Sequence, residues 1–542
     1  MRNVKENVKM KELDRKSLTI EQKLGQLLCA TLAYGEEDVQ YALSLIRNHA
    51  LGAIWVQPDY HPNALDTIRR VREAADYPIL IMTDAENGFG EHKIPAAIAI
   101  AAAHKSEEVA HSFGRLTGTL YRKMGYNVVC NPIIDVSGEH NAPCGSKTRN
   151  FGADKERTAR LGAAVARGMH EAGIMTVGKH YPFGGKGMPY DSHMREGYNY
   201  STKEELIEGP MYPCLQLMKE GLLDGIMVGH KRCVNIDPER PSSLSKPMLD
   251  IIREKGFNGF IITDALNMMG IVLKYGYTDP IGMSVAAGCD IPLPWGTKTK
   301  PSYEGLLECY KKGILTDADV EAALDRVLEA QHKAALLPEP GEILPEDAEN
   351  IRRLHRDCIA ARCAEGLSPS IDPNGKHLFT IVTDERLAEP DVDYTPGPRA
   401  WFFPYKIAAR IKELFPNSEV TTIPVYPTSN SNIPYFDKQT KFDDIVFITN
   451  YQTAAYTGRE HLTTRVVDLM DALQSTDRIV AHLHFGNPFV AADAPYVPRI
   501  LLGHTSEKCV MHGLEILSGN EPALGTVPYE IEWHKKGEFL GY

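Results

Sequence analysis

The chain has 542 residues, of which 43% are hydrophobic and 24% are charged, and its formal net charge is −12 at pH 7. This length is too great for one ordinary hydrophobic core, so it predicts two or three domains of a globular protein. The acidic balance argues against nucleic acid as a partner, because phosphate binding favours a basic protein face.

The sequence contains no segment that is typical of secretion or membrane insertion. Its first 22 residues hold no apolar run, and no later stretch reaches the roughly 18–20 apolar residues of a membrane span. These features predict a cytoplasmic protein that does not bind a membrane. The ten cysteines form no CxxC pair, which indicates neither a zinc site nor a disulfide framework.

In chain order, residues 1–17 are charged and aperiodic, which predicts an extended N-terminal arm. Thr19 and Gln22 fit a capping box and predict a helix that continues through Leu28. Apolar runs then alternate with helical stretches. Each run is apolar on both faces, as a buried parallel strand is. The runs are 51–56, 78–82, 126–130, 174–177, 225–228, 260–262 and 290–293.

This alternation predicts an α/β protein whose residues 18–337 form a (β/α)8 TIM-like barrel. A long doubly wound sheet fits the same periodicity and remains the alternative. Prolines then interrupt the chain, and residues 338–375 are interpreted as a linker with one helix. Residues 376–542 alternate five strand-like runs with three helical stretches, which predicts a smaller α/β sandwich domain.

Charged and amide side chains follow five of the predicted strands within a residue or two. In a barrel, the carboxyl ends of the strands carry the chemistry, so these positions are candidate site residues. They include Asp84, Asn131, Lys179, His180, His230 and Asp264.

The stretch 178–194 combines the largest number of such residues. Gly184, Gly185 and Gly187 indicate a loop that moves or approaches a ligand closely, because glycines cost conformational entropy on folding. Asp191 stands two residues before His193, where its carboxylate can orient the imidazole and raise its pKa. Such a histidine can act as a general acid and base.

Asp264 places one carboxylate at the mouth of a buried strand, although an aspartate there can also cap the next helix. A carboxylate nucleophile, a His–Asp acid/base and several hydrogen-bond donors together suit a retaining glycosidase. The donors are Lys179, His180 and Arg149. The usual retaining design uses two carboxyl groups, and here a histidine would replace one of them.

Several segments resemble glycoside hydrolase family 3, specifically its β-N-acetylglucosaminidase branch. The resemblance spans residues 18 to about 335. Two of its segments, KHYPFGGKGMPYDSH and GFNGFIITDALNMMG, are specific in combination. A weaker resemblance, at HFGNPF, links the C-terminal part to the family's second domain. The main segments are LTIEQKLGQL, TDAENGFG, NPIIDV, TRNFGAD, KHYPFGGKGMPYDSH and GFNGFIITDALNMMG.

The resemblance implies a barrel enzyme that retains configuration and uses no metal and no cofactor. It implies Asp264 as nucleophile, His193 as acid/base and Asp191 as the residue that orients His193. It also implies that further residues bind sugar hydroxyls, namely Asp84, Arg149, Lys179 and His180, with His92 at a position where the family usually has arginine. The chain also departs from the family at Asn87 and at 182–185, which predicts an altered sugar preference.

The expected substrate is a small carbohydrate, an amino-sugar glycoside, from which the enzyme releases terminal β-linked N-acetylglucosamine or a related hexosamine. Phosphorolysis of the same bond stays open, because a histidine repels phosphate less than a carboxylate does. A β-glucosidase is a third interpretation, although that branch takes its acid/base glutamate from the second domain. A decayed sugar-binding protein is the non-enzymatic interpretation. The second domain either covers the barrel or packs in a homodimer.

Overall fold

The computed structural model describes residues 11–59, 61–136, 148–187, 191–383, 402–451 and 461–538. The chain divides into two compact units. The first unit comprises residues 1–92, 110–137 and 154–348, and the second comprises 93–109, 138–153 and 349–542. The limits predicted above for the arm, barrel, linker and second domain stay predictions, and residues 1–10 of the arm lie outside the described ranges.

The first unit contains a curled parallel sheet. Its strands, in chain order, are β1 (Cys29–Thr31), β2 (Ala53–Trp55), β3 (Leu80–Thr83), β4 (Val128–Val129), β5 (Met175–Tyr181), β7 (Gly225–Val228) and β9 (Phe260–Thr263), while β6 (Tyr198–Asn199) and β8 (Arg232–Cys233) form a separate two-stranded sheet. The helices up to residue 357 are α1 (Ile20–Leu27), α2 (Glu36–Arg47), α3 (Ala64–Ala74), α4 (Ala97–Ala102), α5 (Ser106–Met124), α6 (Lys155–Glu171), α7 (Lys203–Glu208), α8 (Tyr212–Lys219), α9 (Lys246–Glu254), α10 (Met269–Tyr275), α11 (Asp279–Ala287), α12 (Thr299–Lys311), α13 (Asp317–Ala335) and α14 (Pro345–Asp357).

The sheet closes into the predicted barrel. Its strands pair in parallel in the order β1-β2-β3-β4-β5-β7-β9. Ile291 then bridges to Ile262 of β9, and the amide of Cys29 in β1 donates to the carbonyl of Pro292 at 3.2 Å. Residues 290–293 therefore take the eighth position, and the predicted (β/α)8 fold class is confirmed.

Local sequence signals account for several helix ends. The capping box at Thr19 is confirmed: its hydroxyl accepts from the amide of Gln22, whose side chain accepts from the amide of Thr19. Thr316 caps α13 in the same way with Asp319. The barrel strands are buried along their whole length, except at His180 in β5. The last residues of β5 therefore reach the accessible carboxyl end of the barrel.

The second unit is built on a six-stranded sheet. Its strands are β10 (Ala360–Cys363), β11 (His377–Thr383), β12 (Glu419–Pro424), β13 (Asp444–Tyr451), β14 (Ile479–Gly486) and β15 (Arg499–Gly503), in the order β10-β15-β14-β13-β11-β12. All pairs are parallel except β10 with β15. Its later helices are α15 (Pro404–Leu414), α16 (Ser429–Gln439), α17 (Thr464–Gln474) and α18 (Glu507–Ser518). The predicted smaller α/β domain is confirmed.

Helices pack on this second sheet as its apolar pattern requires. α15 contacts α18, whereas α16 and α17 bury side chains in one cluster with β11 and β13. This arrangement is the α/β sandwich that alternating strands and helices predict. In the parts of the chain that the structure describes, no helix has the length and apolarity that a membrane crossing requires.

The second unit is expected to lose stability in acid, because it buries three neutral histidines. Burial lowers the pKa of His482 to about 3 and those of His484 and His504 to about 4, from an ordinary 6.5. The Thr449 hydroxyl lies 2.8 Å from ring nitrogens of both His482 and His484. Because the unfolded chain binds protons first, stability is complete above pH 6.5 and falls as the pH drops toward 4.

Urea unfolding of the second unit at pH 7 and pH 4 measures this loss. Each histidine is expected to contribute about 2–3 kcal/mol, since one pKa unit corresponds to roughly 1.4 kcal/mol. A His504→Gln variant should show a smaller difference between the two pH values than the unaltered protein. A free energy of unfolding that does not change with pH would contradict the prediction.

Candidate active site

A buried lysine joins two carboxylates at the carboxyl ends of β3 and β5. Lys179 is 1% exposed, and its Nζ lies 2.5 Å from Oδ1 of Asp84 and 2.7 Å from Oε1 of Glu86. Asp84 directly follows β3, and its backbone amide donates to Oε1 of Gln57 at 3.2 Å. Because a charge this deeply buried requires partners, the three side chains form one ionic cluster.

His180, the next residue of β5, pairs with a different carboxylate. Its Nδ1 lies 2.8 Å from Oδ2 of Asp135, and its amide donates to Oδ1 of the same residue at 2.9 Å. Burial alone would raise the pKa of Asp135, but the charge and hydrogen bonds of His180 outweigh burial and lower it. Asp135 therefore fixes the orientation of the His180 ring.

The contact predicted between His193 and Asp191 is formed. Nδ1 of His193 lies 2.7 Å from Oδ1 of Asp191, and the amide of His193 donates to that same oxygen at 3.0 Å. The Asp191 side chain is nearly fully buried and that of His193 is about one-fifth exposed. A buried carboxylate on Nδ1 sets the tautomer of the ring and leaves Nε2 for proton transfer.

Asp264 follows β9 and is half-buried. Burial alone would raise its pKa, but the nearby His180, His230 and His193, together with the amide of Ala265, outweigh burial. They lower the pKa of Asp264 from 3.8 to about 2. Asp264 is therefore ionised at every physiological pH. The same charges show that His180 of β5, His193 of the loop after β5 and His230, which follows β7, converge on this carboxylate.

Two more basic residues follow β7. His230 is buried, with Nδ1 2.8 Å from the Ser243 hydroxyl and Nε2 3.0 Å from the carbonyl of Ala265. Burial lowers its pKa, although the charge of Asp264 opposes the shift. Burial also lowers the pKa of Lys231, against the charge of Asp135. Lys231 is therefore the residue of this pair that adds positive charge, because the lowered pKa of His230 favours its neutral form.

Two further predicted residues, Arg149 and His92, lie outside the contacts described above, and their roles stay predictions. Arg149 belongs to the second unit, and the segment preceding it, 137–147, lies outside the described residues. His92 ends a short 3-10 helix, and its Nε2 lies 3.7 Å from Oε1 of its neighbour Glu91. For His92, therefore, the structure records a local ion pair.

The segment 182–185, where the chain departs from its family, has a packing role. Phe183 is fully buried in a hydrophobic cluster, and its ring meets that of Tyr181 edge-on at 5.8 Å. A Cβ on Gly184 would lie 2.4 Å from the Val136 carbonyl, and one on Gly185 2.4 Å from the Asn199 side chain. Phe183 therefore does not line the site. These glycines permit the close approach of neighbouring backbones.

Two residues of the site, Glu86 and Asp135, are not among the predicted site residues. Each stands a few residues beyond a predicted strand, on segments already singled out by Asp84 and Asn131. The signal for Glu86 was its i, i+2 spacing from Asp84. Asp135 carried no comparable signal, because its partner His180 is 45 residues away.

The first unit presents an ionised carboxylate, a carboxylate-bound histidine and a buried lysine with two carboxylates at one end of a barrel. Among the described residues there is no group of three or more His, Cys, Asp or Glu side chains arranged to hold a metal ion. Carboxylate, imidazole and hydrogen-bonding groups placed close together suit the cleavage of glycosides.

The sequence profile of the glycosyl hydrolase family 3 N terminal domain matches residues 19–330, and the chain belongs to this family. The resemblance stated above is thereby confirmed. The chain is 32% identical to a β-hexosaminidase of Pseudomonas aeruginosa over 241 residues, which cover 43% of this chain and 71% of the relative. It is 23% identical to a β-N-acetylglucosaminidase/β-glucosidase of Cellulomonas fimi over 548 residues, covering 94% and 93%.

Solved structures share the two-unit fold over most of the chain. A family 3 β-N-acetylglucosaminidase from a Paenibacillus species matches with a TM-score of 0.77 at 21% identity, covering 95% of this chain and 99% of that one. The β-glucoside phosphorylase BglX matches with a TM-score of 0.78 at 22% identity, covering 95% and 94%. These likenesses extend the fold assignment to both units, and the family assignment makes the chain a glycosidase.

Proposed function

We propose that this glycosidase releases terminal β-linked N-acetylglucosamine, or a related hexosamine, with retention of configuration. The observation that carries the proposal is the ionised Asp264 near His193, whose Nδ1 is held by Asp191. The relatives named β-hexosaminidase and β-N-acetylglucosaminidase support the choice of sugar.

In the first step, a carboxylate oxygen of Asp264 attacks the anomeric carbon while the glycosidic bond breaks. Nε2 of His193 donates its proton to the departing oxygen, so that the leaving group departs as a neutral alcohol. In the second step, the neutral His193 accepts a proton from water. The resulting hydroxide attacks the anomeric carbon and regenerates the Asp264 carboxylate.

Asp191 assists both steps through the ring of His193. Its negative charge stabilises the imidazolium before the first proton transfer and again after the second. Asp84 and Lys179, which pair with each other, bind hydroxyl groups of the sugar ring through hydrogen bonds. His180, whose ring is oriented by Asp135, binds a further hydroxyl group. That Arg149 and His92 bind further substituents of the sugar stays a prediction.

Phosphorolysis is the second candidate, and one feature of the site favours it. Lys231 is a partly buried cation at the end of β7, near Asp135. Phosphate is an anion at neutral pH, and a histidine acid/base repels it less than a carboxylate would. The similarity in fold to a β-glucoside phosphorylase is consistent with this route. A cytoplasmic location and a homodimer stay predictions.

A panel of aryl β-glycosides that differ at C2 and C4, assayed with and without phosphate, tests the proposal. Hydrolysis of the N-acetylglucosaminide at the highest kcat/KM, with β-configured sugar as the first product, is the expected result. Accumulation of sugar 1-phosphate would favour phosphorolysis. A preference for the glucoside would refute the proposed sugar.

Replacing His193 with alanine is expected to affect substrates according to their leaving groups. General acid catalysis contributes about 100-fold to 10,000-fold, so cleavage of an alkyl N-acetylglucosaminide should fall by that amount. A dinitrophenyl glycoside needs little protonation and should lose far less rate in its first step. His111→Ala is the matched control, because His111 pairs with Glu171 on the helix surface. Equal losses on both substrates would contradict the acid role.

A further inference from the structure

We propose that the leaving-group side of this site binds an apolar aryl or alkyl aglycone rather than a second sugar. The inference rests on the proposed function, in which His193 protonates the glycosidic oxygen. It is carried by three exposed apolar side chains, here called the apolar rim: Met194 and Met269, whose backbones adjoin His193, and Leu273, one turn further along α10.

The apolar rim lies directly beside the acid/base. Met194 follows His193 in a tight turn in which its amide donates to the Asp191 carbonyl at 3.0 Å. The amide of Met269, the first residue of α10, donates to the His193 carbonyl at 3.2 Å. Leu273 stands four residues further along α10, on the same helix face as Met269.

Close packing holds α10 against the loop that carries His193. A Cβ on Gly270 would lie 3.2 Å from the Arg195 carbonyl and 3.3 Å from that of Ser192, so only glycine fits without displacement. The loop's other side is joined to the strand after His230: the guanidinium of Arg232 donates to both carboxylate oxygens of Glu196, at 2.8 and 2.6 Å. The position of the apolar rim relative to His193 is therefore built into the fold.

The apolar rim is exposed to an unusual degree for such side chains. Met194 is 50% exposed, Met269 41% and Leu273 71%. Contiguous exposed apolar residues mark binding surfaces, and methionines adapt their shape to varied apolar ligands. Because the acid contacts the glycosidic oxygen, the leaving group starts at that atom and extends past the residues that flank His193. Thioether and methyl groups offer a sugar no hydrogen bonds, whereas they can bury an aryl ring or an alkyl chain.

The test is the dependence of kcat/KM on aglycone length for ethyl, butyl and hexyl β-N-acetylglucosaminides, with N,N′-diacetylchitobiose as the sugar aglycone. These primary alcohols have similar acidity, so intrinsic reactivity stays nearly constant along the series. Because a fully buried methylene contributes about fourfold, a partly buried one should raise kcat/KM about twofold. The hexyl glycoside should therefore exceed the ethyl glycoside roughly tenfold and should also exceed the disaccharide.

Leu273→Gln and Met269→Gln should reduce this dependence on chain length by at least about half. The readout is the ratio of kcat/KM for the hexyl and ethyl glycosides of each variant, so a general loss of activity does not change it. Leu336→Gln, at a residue 70% exposed just after α13, is the matched control and should keep the full dependence. If kcat/KM did not change with aglycone length, or if the disaccharide were cleaved fastest, the inference would be overturned and the proposed function would stand. Cleavage of no member would overturn the proposed function and the inference together.

A second copy of the chain is the competing occupant of the apolar rim. If Leu273→Gln converted a dimer into a monomer on size-exclusion chromatography while the chain-length dependence persisted, the apolar aglycone site would be refuted. If Leu273→Gln eluted at the same volume as the unaltered protein and its kcat/KM depended less on aglycone length, the apolar aglycone site would be supported.

Discussion

Replacing Asp264 with alanine is expected to reduce hydrolysis of an aryl N-acetylglucosaminide by at least about a thousandfold. A group that forms the covalent bond acts only in the transition state and intermediate, so its loss should appear in kcat as well as in kcat/KM. The carboxylate is already ionised, since its pKa is lowered to about 2. Activity in the unaltered enzyme should therefore show no acid limb near pH 4 that belongs to Asp264. Steady-state kinetics with a dinitrophenyl glycoside measure the loss.

Azide distinguishes the loss of a nucleophile from damage to the fold. In Asp264→Ala the space vacated by the carboxylate faces the anomeric carbon, and azide can attack there while dinitrophenolate leaves. The product would be the glycosyl azide of inverted configuration, with the substrate losing only its phenolate. Asp279→Ala, at the exposed first residue of α11, is the control and should keep full activity without azide. Full turnover by Asp264→Ala would refute the covalent mechanism.

The barrel strands were predictable because a strand buried on both faces is a short apolar run. The run 225–228 matches β7 at both of its ends, and 260–262 falls one residue short of β9. β1 was missed, because Cys29–Thr31 directly follows a helix and its three residues have no periodicity of their own. Its extended form depends on pairing with β2, which is a tertiary interaction.

In the site, too, a contact between residues close in sequence was predictable, whereas a contact that depends on the tertiary fold was not. The Asp191–His193 pair was predictable from its i, i+2 spacing, since one turn brings the carboxylate to Nδ1. The Lys179–Asp84 pair spans 95 residues, and only barrel closure brings the two strand ends together. Family resemblance named both residues as sugar ligands, but it gave no indication that a second carboxylate, Glu86, shares the lysine.

Glycines show a second limit of sequence reasoning. Gly184 and Gly185 suggested either motion or close approach, and local sequence cannot separate these two needs. Both have positive φ, and a Cβ at either position would lie 2.4 Å from a neighbouring atom, which indicates close approach. Hinge motion of the loop stays a prediction. Phe183 likewise stood out in the sequence as a departure near the sugar, and only its burial assigns it to the core.

Replacing Lys179 with methionine is expected to lower the free energy of unfolding of the first unit by about 3–5 kcal/mol, the usual cost of breaking a buried ion pair. Methionine keeps the length of the side chain but leaves Asp84 and Glu86 facing each other without a cation. Urea unfolding at pH 7 measures the change. Lys186→Met is the matched control, because Lys186 pairs with Glu205 on the surface and should contribute less than about 1 kcal/mol.

A double variant separates the structural role of Lys179 from its role in binding. In Lys179→Met with Glu86→Gln, one of the two opposed charges is gone, so part of the lost free energy of unfolding should return. Activity should not return, since the proposed contact between the Lys179 ammonium and a sugar hydroxyl is still absent. If the double variant recovered both stability and kcat/KM, Lys179 would act only by holding the two carboxylates. If it recovered neither, repulsion between Asp84 and Glu86 would not be the cause of the instability.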